Sequence, residues 1–190
     1  MQLYKLNKTI DGDIPDNFWN VSDIIEYPNF FDDHDYQAIN REVDAGLWKF
    51  GHYSASSQKE IPFWLLSLSK SKFFSEYLLN KIESHTGFQF NLERVYGNGQ
   101  TYGMKGFQHY DSLTPTSRTL LYYPMPRWDV GWGGKTCFKI PTKDGLKNHF
   151  VVPEPNKAVL FPAAIPHWAE ETSRVFTGLR VTIAWKLELK

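Results

Sequence analysis

From about residue 88 onward, short alternating runs of apolar and polar residues are separated by turn-forming residues roughly every ten positions. These runs occupy residues 88–97, 101–110, 118–125, 135–140, 149–154, 157–163, 167–171 and 178–189. Seven or eight strands at this spacing are typical of a β-sandwich or a jelly roll. Because no repeat or linker interrupts the chain, we expect a single domain over residues 1–190, mostly β with flanking helices.

The N-terminal part, residues 1–90, predicts helices and strands that support the core predicted for residues 91–190. In it, apolar residues at helical spacing follow capping aspartates and precede glycines that end helices. The predicted elements are an edge strand and loop over residues 1–20, a helix capped by Asp32 or Asp33 and ended by Gly46, strands at 48–52 and 61–68 around a polar loop at 54–59, and a helix ended by Gly87.

His109 and Asp111 are the first candidate metal ligands. In an extended backbone, side chains two positions apart point to the same face, so an imidazole and a carboxylate would lie together. His167 follows 56 residues after Asp111, at the end of an apolar run. Two histidines and one carboxylate suit iron(II) oxygenases, because this ligand set leaves positions open for a co-substrate and oxygen. For the His-x-Asp pair alone, local hydrogen bonding in a polar loop is the alternative.

Three further features follow the His-x-Asp pair. They are a Thr-x-x-Tyr-Tyr strand at 119–123, a tryptophan and Gly-Gly hairpin at 128–134, and Arg180 on the last alternating run. Together with the ligand segments, they make residues 92–187 resemble the iron(II)- and 2-oxoglutarate-dependent dioxygenases, in their prolyl-4-hydroxylase-like branch. The resemblance implies a double-stranded β-helix (jelly roll).

The same resemblance implies roles for individual side chains and small molecules. The implied iron(II) ligands are His109, Asp111 and His167; the implied contacts to the distal carboxylate of 2-oxoglutarate are Arg180 and Tyr123; and Tyr102 is expected to line the co-substrate pocket. Ascorbate is the accessory reductant that the resemblance adds.

By this resemblance the chain hydroxylates a protein side chain, as prolyl hydroxylases do, or a small molecule, with release of succinate and carbon dioxide. A non-catalytic jelly-roll binding module and a cupin-type metal enzyme without 2-oxoglutarate are the open alternatives. Arg180 and Lys186 lie six positions apart, which is similar to the paired arginines of alkylated-nucleic-acid dealkylases in the same superfamily. We expect the N-terminal half and the loops at 54–59 and 112–117 to set the substrate.

The charge balance bears on partners and compartment. Lysine plus arginine number 21, as do aspartate plus glutamate, so there is no overall basic footprint and nucleic acid is a disfavoured partner. The single Cys137 cannot form an internal disulfide, which favours a reducing compartment. No apolar run approaches the roughly 20 residues that span a bilayer. We therefore expect a soluble cytoplasmic protein that acts on a peptide or small-molecule substrate, without a membrane partner.

Overall fold

Twelve strands and two α-helices make up the regular structure of the residues that the computed structural model describes, which are 6–9, 12–15, 19–53, 62–142 and 145–190. The strands are β1 (Leu6–Thr9), β2 (Gly12–Pro15), β3 (Ile25–Tyr27), β4 (Lys49–His52), β5 (Phe63–Ser67), β6 (Phe90–Gln100), β7 (Ser117–Tyr123), β8 (Thr136–Thr142), β9 (Gly145–Val151), β10 (Lys157–Pro162), β11 (His167–Ala169) and β12 (Arg180–Leu189). The helices are α1 (Asp33–Asp44) and α2 (Leu78–Thr86), and a π-helical turn at Phe73–Tyr77 leads into α2.

Two antiparallel sheets form the body of the fold. The large sheet has seven strands in the order β3-β10-β7-β12-β6-β5-β4, and the small sheet has the order β11-β8-β9, while β1 and β2 pair separately. Side chains of the two sheets meet in the core, where the ring of Phe138 on β8 lies 4.9 Å from that of Phe161 on β10. Two facing antiparallel sheets of this kind form a double-stranded β-helix, which confirms the predicted fold class.

Strand β12 divides the interior into two sides, because its side chains alternate between the faces of the large sheet. Trp185 faces the helical layer, where its indole N–H donates to the Phe74 carbonyl at 3.0 Å. Arg180, Thr182 and Lys186 face the opposite way and line a cavity between the sheets. The helices therefore support the back of the sheet that carries the candidate site.

The helix boundaries confirm the predicted capping chemistry. The Asp32 side chain accepts a hydrogen bond from the Asp35 N–H at 2.9 Å and begins α1, which ends one residue before Ala45. Gly87 ends α2 in the left-handed region, with φ of 75°, where a residue without Cβ is favoured. No helix in the described part of the chain is both long enough and apolar enough to cross a membrane.

The predicted strand at 101–110 is wrong. The chain turns there, with Gly103 at φ of 79°, and only His109 makes an isolated strand pairing. A Cβ on Gly106 would lie 2.9 Å from the Ala169 backbone nitrogen. The two glycines thus allow a turn and a close backbone approach, which alternation of side chains does not reveal.

Some predictions concern other parts of the chain. The edge strand was expected from the alternating start at residues 3–6, of which only Leu6, the first residue of β1, is described. The polar loop at 54–59 lies outside the described residues. Strands β3, β4 and β5, from the N-terminal half, occupy the two edges of the large sheet. The division of one domain into a support and a core at residue 90 stays a prediction.

Candidate metal centre

The backbone brings the two candidate histidines together. The His109 N–H donates to the His167 carbonyl, and the His167 N–H donates to the His109 carbonyl, both at 3.0 Å. This antiparallel pairing sets the imidazole centroids 4.4 Å apart. The Asp111 N–H donates to the Ala163 carbonyl at 3.0 Å, so the carboxylate segment is held against the strand connection that leads to His167.

Each imidazole is oriented by a carbonyl from its own segment. The Nδ1 atom of His109 lies 2.7 Å from the Phe107 oxygen, and Nδ1 of His167 lies 2.9 Å from the Ile165 oxygen. A carbonyl can only accept a hydrogen bond, so the neutral form of each ring would carry its proton on Nδ1. Both Nε2 lone pairs are therefore free to bind a metal, and the carbonyls hold the rings in that orientation.

Asp111 completes the cluster. Its Oδ1 lies 3.5 Å from Nε2 of His109, and its Oδ2 lies 3.3 Å from Nε2 of His167. One ligand atom from each of the three residues can be chosen so that all lie within 4.8 Å of one another. Two neutral imidazoles and a carboxylate on one side of a metal are the donor set of non-haem iron(II) centres. The three side chains thus fit the metal that the sequence predicted.

The charge state of this cluster suits metal binding. Burial by itself would raise the pKa of the Asp111 carboxyl, but the Lys186 ammonium and the two histidines hold that pKa well below its usual range. Burial lowers the pKa of His167, with Asp111 opposing the shift. The carboxylate is therefore ionised and His167 neutral near neutral pH, as metal ligands must be.

Two side chains hold the second oxygen of Asp111. The Thr119 hydroxyl donates to Oδ2 at 2.6 Å, and the Lys186 ammonium contacts the same oxygen. Lys186 is itself buried, with 7% of its side chain exposed. With Oδ2 engaged in this way, Oδ1 is the oxygen that is available to a metal.

Arg180, the first residue of β12, lies at the far end of the same cavity. Its guanidinium donates to three neutral acceptors: the Gly134 carbonyl at 2.5 Å, the Gln100 side chain at 2.9 Å and the Thr136 hydroxyl at 3.2 Å. Among the described residues, no carboxylate oxygen lies within 4.0 Å of it. Burial lowers the pKa of Arg180, yet an arginine remains charged in proteins. Among the described residues, this buried cation therefore has no carboxylate in direct contact, although the more distant Glu170 carboxylate also acts on its pKa.

The cavity connects the two features. It has a volume of about 60 Å³ and is lined by His109, His167 and Lys186 at one end and by Thr136 and Arg180 at the other. The metal-ligand cluster and the Arg180 guanidinium thus line one cavity.

The structure places the two predicted tyrosines differently. The Tyr123 hydroxyl donates to Thr136 Oγ1 at 2.7 Å, and it therefore reaches Arg180 through that threonine; burial raises the pKa of Tyr123 to about 12. Tyr102 lies in a turn with 54% of its surface exposed and is not among the residues that line the cavity. The structure brings Tyr123, but not Tyr102, close to Arg180.

Sequence reasoning missed the neutral partners of the site. Gln100 and Thr136 carry no motif of their own, and Thr119 was noted only as the first residue of the Thr-x-x-Tyr-Tyr strand. Each becomes functional only through a hydrogen bond to Arg180 or Asp111. Lys186 had one signal, since it shares the period-two face of β12 with Arg180. Its contact with Asp111 depends on a loop that is distant in sequence.

This protein resembles known proteins in its fold and not in its sequence. No protein-family model and no curated protein matches the sequence. An oxidoreductase of the 2OG-Fe(II) oxygenase family from Burkholderia pseudomallei has a similar structure, with a TM-score of 0.70 and 10% identity over 88% of this chain and 86% of that one. A prolyl hydroxylase from Trichoplax adhaerens, in complex with a hypoxia inducible factor peptide, has a TM-score of 0.67 and 14% identity over 88% and 84%.

A third similar structure is HygX from Streptomyces hygroscopicus, with nickel, 2-oxoglutarate and hygromycin B bound. Its TM-score is 0.60, at 11% identity over 87% of this chain and 82% of that one. Identities this low establish shared architecture alone. The chain has the double-stranded β-helix of 2-oxoglutarate–iron(II) oxygenases, a fold that includes prolyl hydroxylases.

Proposed function

We propose that this protein is an iron(II)- and 2-oxoglutarate-dependent dioxygenase. His109, Asp111 and His167 hold the metal, and Arg180 binds the distal carboxylate of 2-oxoglutarate. The observation that carries the proposal is the buried Arg180 guanidinium, which has no carboxylate partner among the described residues and shares a cavity with the three ligands. The three metal ligands alone would fit several enzyme classes. Together with Arg180 in the same cavity, they suit a ligand that binds the metal and also carries an anionic group.

The free hydrogen-bonding capacity of Arg180 supports this role. Its three bonds to neutral acceptors use Nε and one hydrogen on each terminal nitrogen. One N–H therefore remains on each terminal nitrogen, which is the fork that binds a carboxylate through both oxygens. Burying a cation without a partner is costly, so a ligand that supplies the missing anion would bind strongly.

When bound, iron(II) and 2-oxoglutarate supply an oxidation in which one atom of O₂ enters succinate, the other enters a substrate C–H bond, and carbon dioxide is released. The protein orients both reactants. The carbonyls beside Nδ1 aim the two imidazoles, Thr119 and Lys186 orient Asp111, and Gln100 and Thr136 orient Arg180. Such positioning by the surrounding residues is the protein's share of cofactor chemistry.

The acceptor is a protein side chain, in the manner of a prolyl hydroxylase, or a small molecule. Both classes have support in proteins with this fold, because the Trichoplax adhaerens enzyme binds a peptide and HygX binds hygromycin B. A succinate-release screen over proline-containing peptides, free amino acids and alkylated oligonucleotides separates the two classes. The oligonucleotide arm tests the dealkylase alternative raised by Arg180 and Lys186.

Calorimetry with Mn²⁺ under anaerobic conditions tests the proposal. We expect wild-type protein to bind 2-oxoglutarate only when Mn²⁺ is present, and Asp111→Ala to lose both metal and 2-oxoglutarate binding and succinate formation. Arg180→Met should keep Mn²⁺ binding and lose 2-oxoglutarate affinity by about 100-fold, as expected for a charge-assisted pair. Arg127→Met, at an exposed arginine outside the cavity, is the control and should behave as wild type.

Two results would contradict the proposal. Binding of 2-oxoglutarate that is indifferent to Mn²⁺ would favour a binding module without catalysis. Metal-dependent oxidation that Arg180→Met leaves intact would favour a cupin-type enzyme that does not use 2-oxoglutarate.

A further inference from the structure

A second, larger groove adjoins the metal centre. It has a volume of about 720 Å³, and its wall includes the candidate ligands His109 and Asp111 together with Arg94, Tyr96 and His52. The groove and the smaller cavity share His109 and Tyr96 as lining residues. Its volume lies within the roughly 300–1,000 Å³ that is common for small-molecule sites.

Two cations lie side by side on the sheet face that forms this wall. Lys186 on β12 pairs directly with Arg94 on β6 in the antiparallel register. Both cations lie near the Tyr96 ring, with the Arg94 guanidinium 5.4 Å and the Lys186 ammonium 5.8 Å from its centroid. Like charges in directly opposed positions destabilise a pair of strands. Anions near Lys186 and Arg94 would offset this repulsion.

Only one of these cations has an anion among the described residues. Lys186 is neutralised by Asp111. Arg94 has no carboxylate oxygen within 4.0 Å in the described part of the chain, and its contact is with the Tyr96 ring. A guanidinium stacked on an aromatic ring is held in place and still offers its N–H edge to a planar anion.

Aromatic rings border the position of this cation. The His52 ring lies 5.2 Å from the Phe63 ring and 6.2 Å from the Tyr96 ring. Burial, and after it the charge of Arg94, lowers the pKa of His52, so His52 adds no competing positive charge near neutral pH. Among the described residues that line the groove, the exposed Arg94 is therefore the cation without a carboxylate partner, and it lies beside aromatic rings.

We propose that this groove binds the substrate to be oxidised, and that this substrate is a small carboxylic acid whose carboxylate is anchored by Arg94. The inference rests on the proposed function, since it takes the metal centre as the reacting end of the groove. Arg94 is the one guanidinium among the described residues of the groove, and it matches the single charge and planar shape of a carboxylate. Arg94 lines the same groove as His109 and Asp111 and lies opposite the lysine that contacts Asp111, so a carboxylate bound there shares the groove with the metal ligands.

The test compares two probes of nearly the same shape, phenylacetate and phenylacetamide, on protein loaded with Mn²⁺ and 2-oxoglutarate. Relaxation of the probe protons by Mn²⁺ measures both affinity and proximity to the metal. We expect wild type to prefer the acid by at least about tenfold, as a charge-assisted hydrogen bond provides. Arg94→Gln should reduce the preference to within about twofold, and Arg94→Lys should retain part of it.

Arg127→Gln is the matched control, because Arg127 also stacks on an aromatic ring, 5.7 Å from the centroid of Trp132, and does not line the groove. It should keep the full preference for the acid. Circular dichroism and thermal unfolding verify that the variants fold.

Equal binding of acid and amide, binding of neither, or a preference that survives Arg94→Gln would each overturn the inference. Stronger displacement of phenylacetate by inorganic phosphate than by acetate would overturn the carboxylic acid class in favour of a phosphorylated substrate. If wild type fails to bind Mn²⁺ or 2-oxoglutarate, the proposed function fails instead. Saturation-transfer measurements on the metal-free protein then still report whether Arg94 selects the acid.

Discussion

Lys186 and Asp111 form an ion pair in the interior of the protein, with only 7% and 6% of their side chains exposed. The ammonium contacts Oδ2 of the carboxylate, the oxygen that also accepts a hydrogen bond from Thr119 at 2.6 Å. In the metal-free protein the lysine thus supplies the positive charge that the buried carboxylate needs. Metal binding adds a second cation to a carboxylate that is already neutralised and oriented.

Replacing Lys186 by methionine should separate the stabilisation of Asp111 by the lysine from its stabilisation by the metal. We expect Lys186→Met to destabilise the metal-free protein by about 3 to 5 kcal/mol, because it leaves a buried carboxylate unpaired. Saturating Mn²⁺ should then raise the midpoint of thermal unfolding more in the variant than in wild type, since the metal replaces the lost charge. Lys157→Met is the control: Lys157 pairs with Glu26 and Glu154, each at 2.9 Å, and Mn²⁺ should not rescue it. An equal Mn²⁺ effect in Lys186→Met and wild type would contradict this account.

Replacing threonine by valine should have different effects at Thr119 and at Thr172. Thr119→Val removes the hydrogen bond to Asp111, and we expect Mn²⁺ affinity to fall about 10- to 100-fold, as for other residues that orient a metal ligand. The Thr172 hydroxyl is buried without a hydrogen-bond partner among the described residues. Thr172→Val should therefore leave Mn²⁺ affinity unchanged and stabilise the fold by up to about 1 kcal/mol. Spin-resonance titration of Mn²⁺ and urea unfolding measure the two quantities, and weaker Mn²⁺ binding by the Thr172 variant would count against the assignment.

Gly134 supports Arg180 through its conformation and its lack of a side chain. It has φ of 68°, and a Cβ there would lie 2.9 Å from atoms of Thr172 and Trp128 and 3.1 Å from Arg180 Cδ. Gly87 has φ of 75° with nothing within 4 Å of its Cβ position. We expect Gly87→Ala to cost about 1 to 2 kcal/mol from backbone strain alone, and Gly134→Ala to cost about 1 to 3 kcal/mol more from overpacking.

Only the Gly134 variant should also bind 2-oxoglutarate more weakly, because it displaces the guanidinium, while its Mn²⁺ affinity stays at the wild-type level. Calorimetry on the two variants checks this difference. Equal 2-oxoglutarate affinity in the two would argue that Arg180 has room to adjust.

Tyr123 predicts a loss of stability at alkaline pH. Burial raises its pKa from 10.0 to about 12, so the phenol stays protonated in the folded protein while the unfolded chain ionises. The stabilisation by the protonated Tyr123 hydroxyl is fully present below pH 10, the pKa in the unfolded chain. It is lost as the pH rises through the pKa in the folded protein. The stability advantage of wild type over Tyr123→Phe should therefore shrink by roughly 2 kcal/mol between pH 9 and 12.

Urea unfolding across this pH range measures the effect of Tyr123→Phe. Tyr102→Phe, at a tyrosine with 54% of its surface exposed, is the control and should track wild type. A constant difference between wild type and Tyr123→Phe would show that the hydroxyl ionises equally in both states.

The sequence was sufficient to predict the overall fold and the residues that meet at the centre of the site. Alternation along 178–189 predicted a strand, and that period also placed Arg180 and Lys186 on one face of β12. His109, Asp111 and His167 were recognisable because their chemical types and order are unusual together. The strand predicted at 101–110 was wrong, since two glycines permit a turn and a close backbone contact that side-chain periodicity does not encode.

Local patterns in the sequence determined the strands, the helix caps and the identity of the candidate ligands, because these depend on neighbouring residues and on side-chain chemistry. Only the tertiary structure decided which partners each charge has. Asp111 is paired with Lys186, Arg180 donates its hydrogen bonds to neutral acceptors, and Arg94 lies opposite Lys186 without a carboxylate in contact among the described residues. Charge pairing depends on distances of a few ångströms between segments far apart in the chain, and those distances are set by the packing of the two sheets.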